Sequence, residues 1–409
     1  MDPEQSVGDI VQEAESPRKG NLSPLAVISG LRGLRDSLRT TIWQPFVLSL
    51  GVPMTSLGAL ESVLDLIRIS THTPLGEASD VYGRKRFLAA RELLIVMACV
   101  LFLAANSWHL VFVGVVLLGL SFSLFPVWNT AIAESVEPHE LGRAYSVTGS
   151  CYTGAGLVGT LGAGFLAQRL GFSFVFGLSL GMGVLSFVLV LLWLRETRPP
   201  APGASYSISR ALLSLKGALL PPRHLWGFYA AMSVDLFAFS IGWRLLYGML
   251  TQGYGYTPYM IGLLCAASAV TIAVTQIPLG RLADRFGYVK FLALSQILAC
   301  LTIVTMVVSK SFEIVLAAHV IMGFAGALWG PAEQAWIASN VNEEEMAKSI
   351  GGYSTFRGLA AMPGPLIGGA LFDKFGFDVP MLVNLALAIV DTVMILVLIK
   401  DVKMVKPSG

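Results

Sequence analysis

Long apolar runs separated by short polar loops cover most of the chain. Runs of spanning length fall at 25–49, 52–74, 87–105, 109–133, 144–167 and 172–194, then at 225–249, 258–279, 289–309, 313–337, 349–371 and 379–399. About twenty apolar residues in a helix cross the hydrocarbon of a bilayer. The pattern therefore predicts an all-α integral membrane protein of twelve transmembrane helices in two pseudo-symmetric six-helix bundles. The expected divisions are a tail over 1–24, a first bundle over 25–194, a linker over 195–224, a second bundle over 225–400 and a tail over 401–409. In the linker Pro199, Pro200, Pro202, Pro221 and Pro222 break helices, and the amphipathic stretch 208–216 is expected to lie on the membrane surface.

The polar loops repeat. Gly76-Glu77-Ala78-Ser79-Asp80-Val81-Tyr82-Gly83-Arg84-Lys85-Arg86 returns about 200 residues later as Gly280-Arg281-Leu282-Ala283-Asp284-Arg285-Phe286-Gly287-Tyr288-Val289-Lys290. Gly119 answers to Gly323, Pro126 to Pro331, and Leu170-Gly171-Phe172 to Phe375-Gly376-Phe377. Two halves with one architecture follow from this. In each loop the glycines, Gly76 and Gly83 or Gly280 and Gly287, permit a tight turn between antiparallel helices. Asp80 or Asp284 can accept hydrogen bonds from a neighbouring helix N-terminus, and the arginines can pair with acidic groups of the opposite half.

Composition agrees. The chain is 55% hydrophobic and 13% charged, with a mean hydropathy of +0.69, far too apolar for a soluble domain. A net charge of +2 carries no nucleic-acid signal. Cys99, Cys151, Cys265 and Cys300 each fall inside an apolar run and read as small hydrophobes. The start of the chain is polar and mixed in charge, so no cleavable signal peptide is expected. Basic residues concentrate on one side: Arg84, Lys85, Arg86, Arg143, Arg195, Arg281 and Arg285, among others, against Arg169, Lys310 and Lys374. With the even number of spans, this places both termini in the cytoplasm.

The loop from Gly76 to Arg86, a glycine, an aspartate four residues on and then Gly-Arg-Lys between the second and third spans, resembles the signature of the major facilitator superfamily. Its second copy, Gly280 to Lys290, resembles the matching loop between spans eight and nine, and the resemblance covers nearly the whole chain. It implies a gating latch on the cytoplasmic side made by Gly76, Asp80, Gly83, Arg84, Lys85, Gly280, Asp284, Arg285 and Gly287. Ala78 and Val81 depart from the usual leucine and arginine, and Tyr288-Val289 from Arg-Lys, which implies a weaker second latch. Gly154, Gly156, Gly159, Gly162 and Gly164 on span five answer to Gly358, Gly364, Gly368 and Gly369 on span eleven. Small residues so placed let helices approach closely. Gly364-Pro365-Leu366-Ile367-Gly368-Gly369 is similar to an antiporter motif of that superfamily, which there lies on span five; close packing is the simpler reading here.

Charges inside a bilayer are costly unless they face a cavity or a partner. On span one Arg32, Arg35, Asp36 and Arg39 share a face, as do Glu61, Asp65 and Arg68 on span two. At about 1.5 Å per residue, Arg39 lies level with Glu61 and Arg35 with Asp65, so ion pairs between these helices are expected. Later spans add Asp235, Arg244, Arg357 and Asp391. The alternative to pure packing is a cavity in which Arg39, Arg244, Arg35 and Arg357 bind an anionic group. Asp36, Glu61, Asp65, Asp235 or His319 would then carry a proton, with Asp36 the first choice because the resemblance puts span one at the cavity. The same resemblance puts Trp128, Asn129 and Trp329 on cavity-lining spans, where the indoles could stack on a ligand.

No phosphate-binding glycine loop, metal-ligand cluster or nucleophile constellation is present in the sequence. The expectation is not an enzyme, with no cofactor and no metal, but an alternating-access secondary transporter of the plasma membrane. It moves a small organic solute, anionic or amphipathic, and acts as a monomer within the lipid bilayer. Protons are the expected coupling ion, with sodium the alternative. A multidrug/proton antiporter is the nearest competing reading; a non-transporting receptor or scaffold is a more distant one, since a static sensor needs neither duplicated loops nor sliding helices.

Overall fold

In a computed structural model the described residues are 20–200, 206, 223–341 and 346–400. The expected surface segment 208–216 lies outside them. Among the described residues fifteen α-helices form twelve antiparallel spans. In the first half these are α1 (Leu22–Ser49), α2 (Met54–Tyr82), α3 (Arg84–Leu103), α4 with α5 (Trp108–Ser123, Phe125–Ala133), α6 (Leu141–Leu170) and α7 (Phe172–Leu192). The second half has α8 with α9 (Trp226–Ile241, Leu246–Tyr254), α10 (Pro258–Phe286), α11 (Tyr288–Val308), α12 (Phe312–Ser339), α13 with α14 (Met346–Ala361, Gly364–Phe375) and α15 (Asp378–Leu398).

Three spans are broken, and each break has a local cause. Pro126 ends α4 near Leu124, Gly242 separates α8 from α9, and Pro363 with Pro365 separates α13 from α14. Pro74 in α2 and Pro278 in α10 sit at one repeat offset. The turns repeat as well. Gly83 has φ +95° and ψ 143°, and Gly287 has φ +98° and ψ 142°, a conformation that side-chain-bearing residues rarely adopt.

Seven spans are apolar and long enough to cross a membrane on length and composition alone. The first three spans are not among them, since α1, α2 and α3 carry the charges that turn inward. The molecule is arranged for an apolar solvent. Arg32, Arg35, Arg91 and Asp391 are buried, whereas Leu192, Val274, Val308 and Val397 are 66–81% exposed. Backbone groups are satisfied within helices, as the hydrocarbon requires.

Within the first half α1 packs on α6 and α7, α2 on α4, and α3 on α4 and α7. The second half pairs α8 with α15, and α12 with both α10 and α11. The halves meet where α2 lies on α14 and α6 on α10. Backbones nearly touch there: a Cβ on Gly58 would lie 2.2 Å from the Pro365 carbonyl oxygen, and one on Gly164 would lie 2.3 Å from that of Pro258. This seam lies at the end remote from the repeated loops.

Candidate functional site

Polar groups inside the molecule gather in three places. The first is a basic cluster in the N-terminal half. Arg35 donates from Nε to Asp36 Oδ1 at 3.0 Å and from Nη1 to Glu92 Oε2. Arg91 pairs with the other oxygen of Glu92, and Arg32 Nε lies 3.7 Å from that oxygen. Arg32 also stacks over Trp128, its guanidinium 4.0 Å from the ring centre. Arg39 rests on the face of Phe122 at 5.4 Å. All four arginines are at most 3% exposed.

The second cluster bridges the halves. Arg244, in the turn between α8 and α9, donates to Glu61 Oε2 at 2.9 Å and to Asp65 Oδ1 at 3.3 Å. Trp43 Nε1 holds the other oxygen of Glu61 at 2.8 Å, and Arg68 pairs with Asp65 at 3.0 Å. Gln44 spans the same seam: its amide donates to the Arg244 carbonyl at 2.6 Å and its oxygen accepts from Gly248 N at 2.7 Å. Further out, the Asp373 carboxylate accepts from Met54 N at 3.0 Å and Thr55 N at 2.7 Å. The far end is thereby tied shut. On the loop side of this seam, Arg68, Ile69, His72, Phe122, Ser354 and Thr355 face a cavity of about 530 Å³ between the halves.

The third cluster is acidic and belongs to the C-terminal half. Gln296 on α11 donates from one nitrogen to Asp235 Oδ1 at 2.8 Å and to Asp391 Oδ2 at 2.5 Å. Arg357 reaches the other oxygen of Asp235 at 3.4 Å and pairs with Glu333, which also accepts from Tyr353 and, at 3.0 Å, from Trp329 Nε1. Asp391 Oδ1 is buried without a hydrogen-bond partner among the described residues. Asp235, Gln296, Glu333 and Arg357 line a cavity of about 290 Å³ whose other walls include Phe239, Trp243, Met322 and Trp329.

The expected site residues are thus divided rather than joined. Arg35, Asp36 and Arg39 lie in the basic cluster; Glu61, Asp65 and Arg244 close the seam; Asp235, Arg357 and Trp329 line the C-terminal cavity. The expected pairs Arg39–Glu61 and Arg35–Asp65 do not form, because α1 packs on α6 and turns its charged face to α3 instead of α2. Trp128 is buried beneath Arg32. Asn129 accepts Tyr145 Oη on its main-chain oxygen at 3.0 Å. His319 is fully buried, with Nδ1 2.8 Å from the Val315 carbonyl and the ring beside Trp243 and Tyr247.

The first repeated loop is tied to its own half. Arg84 pairs with Asp80 and, at 3.2 Å, with Glu134, and it donates to Ser79 Oγ at 2.6 Å. Glu196 accepts the main-chain N–H groups of Arg84 at 2.9 Å and Lys85 at 3.2 Å, which caps the positive end of α3. Arg198 reaches Asp80 at 3.1 Å. In the second copy Asp284 accepts from Tyr288 Oη at 3.2 Å, and Arg285 lies over Phe286. The sequence reading overlooked Arg91, Glu92 and Gln296. Their signal was present: Glu92 and Gln296 are polar, lie inside otherwise apolar runs, and share the offset that relates Gly76 to Gly280.

Comparison with known proteins fits this geometry. The family model described as Major Facilitator Superfamily matches residues 25–251 and 236–408. A multidrug resistance protein MdtG of Enterobacter lignolyticus (strain SCF1) is 26% identical over 376 residues, 90% of this chain and 89% of that one. Among solved structures, a mutant of the nucleoside transporter NupG superposes with a TM-score of 0.77 at 13% identity, covering 93% of this chain and 100% of that one. A bacterial homologue of the lysosomal transporter Spinster, in an inward-facing and unoccupied conformation, gives 0.73 at 15% identity over 92% of this chain and 96% of that one. The fold is shared with these solved structures, and the chain belongs to the Major Facilitator Superfamily as a secondary transporter, multi-pass in the plasma membrane.

Proposed function

We propose that the chain couples proton movement to the transport of an amphipathic organic solute, as a multidrug/proton antiporter would. The observation that carries this reading is the mixed lining of the 290 Å³ cavity, which combines indole, phenyl and thioether groups with Asp235, Glu333 and Arg357. Apolar walls with a few convergent polar groups suit an amphipathic ligand. A cationic group on the solute would compete with Arg357 for Asp235 and Glu333. The similarity to proteins named for multidrug resistance supports the same solute class.

Proton coupling is assigned to Asp235 and Asp391. Two carboxyl groups that share a single amide donor repel when both are ionised, and a proton held between them relieves the repulsion. Asp36 has the opposite surroundings: with Glu92 it is one of two carboxylates set among four buried arginines, a role that needs its negative charge kept. The excess of basic residues at the repeated-loop end supports a cytoplasmic position for it, with the far end outward and the cavity between the halves reached from inside. Each half contributes its own cluster within one chain, which suits a monomer.

The test is flux in proteoliposomes with imposed ion gradients, using a fluorescent lipophilic cation and a fluorescent organic anion as solutes. A pH gradient should drive accumulation of the cation, and Asp235→Asn should remove the drive. A sodium gradient driving the same flux without protons would replace the coupling ion. Accumulation of the anion alone would overturn the solute class.

A further inference from the structure

The basic cluster of the N-terminal half has no part in the reading above, and its charges do not balance. Arg32, Arg35 and Arg39 on α1 and Arg91 on α3 are 2%, 0%, 3% and 2% exposed. The carboxylates that pair with them among the described residues are Asp36 and Glu92, so two positive charges stay uncompensated by ion pairs. Donors are left over too: Arg32 Nε, Arg35 Nη2, Arg91 Nε and both Nε and Nη2 of Arg39 are buried with no hydrogen-bond partner among the described residues. The surrounding helices bring neutral groups. Trp128 and Phe122 offer aromatic faces to Arg32 and Arg39. From α7, Gly183 lies beside Arg35, and Ser186, one turn away on the same face, has a buried hydroxyl without a hydrogen-bond partner among the described residues.

We infer that this cluster is a binding site for a small monovalent anion, held by the unpartnered guanidinium N–H groups of α1 and α3. Burial sets the size. A site enclosed this completely takes a halide or the compact head of a carboxylate. Guanidinium groups are the side chains best suited to it, because they keep their charge when buried and present several donors in a fixed plane. The repeat sharpens the contrast, since the equivalent position in the C-terminal half gathers carboxylates around Gln296 and has one arginine. The anion would lock α1 to α3 within the half, so that the N-terminal bundle moves as one body. Arg39 is the member to remove, because among the described residues it has no ion pair whose loss would strand a carboxylate.

The experiment is thermal unfolding of the detergent-purified full chain at constant ionic strength, with gluconate replaced stepwise by chloride, bromide or nitrate and, in a separate arm, by acetate or benzoate. An anion that binds only the folded chain raises its melting temperature with a saturating dependence on concentration. The expected result is a saturable rise that Arg39→Gln removes, and that Arg39→Lys retains with a half-saturating concentration about tenfold higher. Arg39→Lys also serves if the glutamine variant does not fold. A rise with halides assigns the site to a free inorganic ion, and a rise with carboxylates alone assigns it to the acidic group of an organic molecule. Equal melting temperatures in gluconate and every other anion overturn the inference, as does a rise that both variants keep unchanged. Failure here leaves the solute and proton assignments standing, because those are read from flux and from residues of the other half.

Discussion

Glu92 and Gln296 occupy the same place in the two repeats, and each is the polar centre of its half. Glu92 collects Arg32, Arg35 and Arg91; Gln296 collects Asp235 and Asp391. A carboxylate only accepts hydrogen bonds, whereas a primary amide can donate two. One position on the third span of each repeat therefore determines which sign of charge its half gathers.

Glu92→Gln should be among the most damaging single changes in the chain. Among the described residues it leaves the four buried arginines of the cluster with Asp36 as their remaining carboxylate, and breaking a buried pair from one side costs about 3–5 kcal/mol. The purified variant should melt well below the parent in a thermal scan, or fail to accumulate in the membrane. A melting temperature equal to the parent's would show that Glu92 is not what holds the cluster.

Asp391→Asn keeps an acceptor for Gln296 and removes the ionisable group. Downhill solute movement should persist in proteoliposomes, while accumulation driven by a pH gradient falls by about tenfold or more. Undiminished pH-driven accumulation would return Asp391 to a packing role.

Arg244→Gln removes the two ion pairs, to Glu61 and Asp65, that join the halves at the far end. The equilibrium should shift toward far-end opening, read as faster labelling of single cysteines placed beside Glu61. A double-mutant cycle with Glu61→Gln should give a coupling of about 0.5–3 kcal/mol. Additive effects would mean that the bridge does not hold the seam.

Gly83→Ala places a side chain at φ +95°, with its Cβ 2.8 Å from Glu196 Oε2. Backbone strain of this kind costs about 1–3 kcal/mol, and the Glu196 cap on α3 must move. Lower thermal stability with a more proteolysis-sensitive loop is the expected outcome. Unchanged values for both would show that the turn tolerates a side chain.

Most of the fold was legible in the sequence, and the site much less so. Hydrophobic runs mark spans because the bilayer demands them, and Gly83 and Gly287 mark turns because few residues adopt their backbone angles. Helical spacing correctly put Arg32, Arg35, Asp36 and Arg39 on one face. It could not say which neighbour that face meets, and neighbours in sequence were taken for neighbours in space. In fact Arg35 finds Glu92 on α3, while Glu61 and Asp65 find Arg244 across the molecule. Nor could it say where the arginine of the expected latch would turn. A sequence carries no conformational state, and in this one Arg84 turns to Asp80 and Glu134 of its own half.

The seam at the far end is made largely of main chain. Gly58 lies against Pro365, Gly369 against Met54, and Gly164 against Pro258, each so close that a methyl group would come within 2.2–2.4 Å of a carbonyl oxygen. A seal built from side chains leaks whenever a rotamer turns, whereas backbone pressed on backbone leaves no space for a file of water. Because a proton crosses a protein by hopping along such a file, a closure of this kind withholds that route between turnovers.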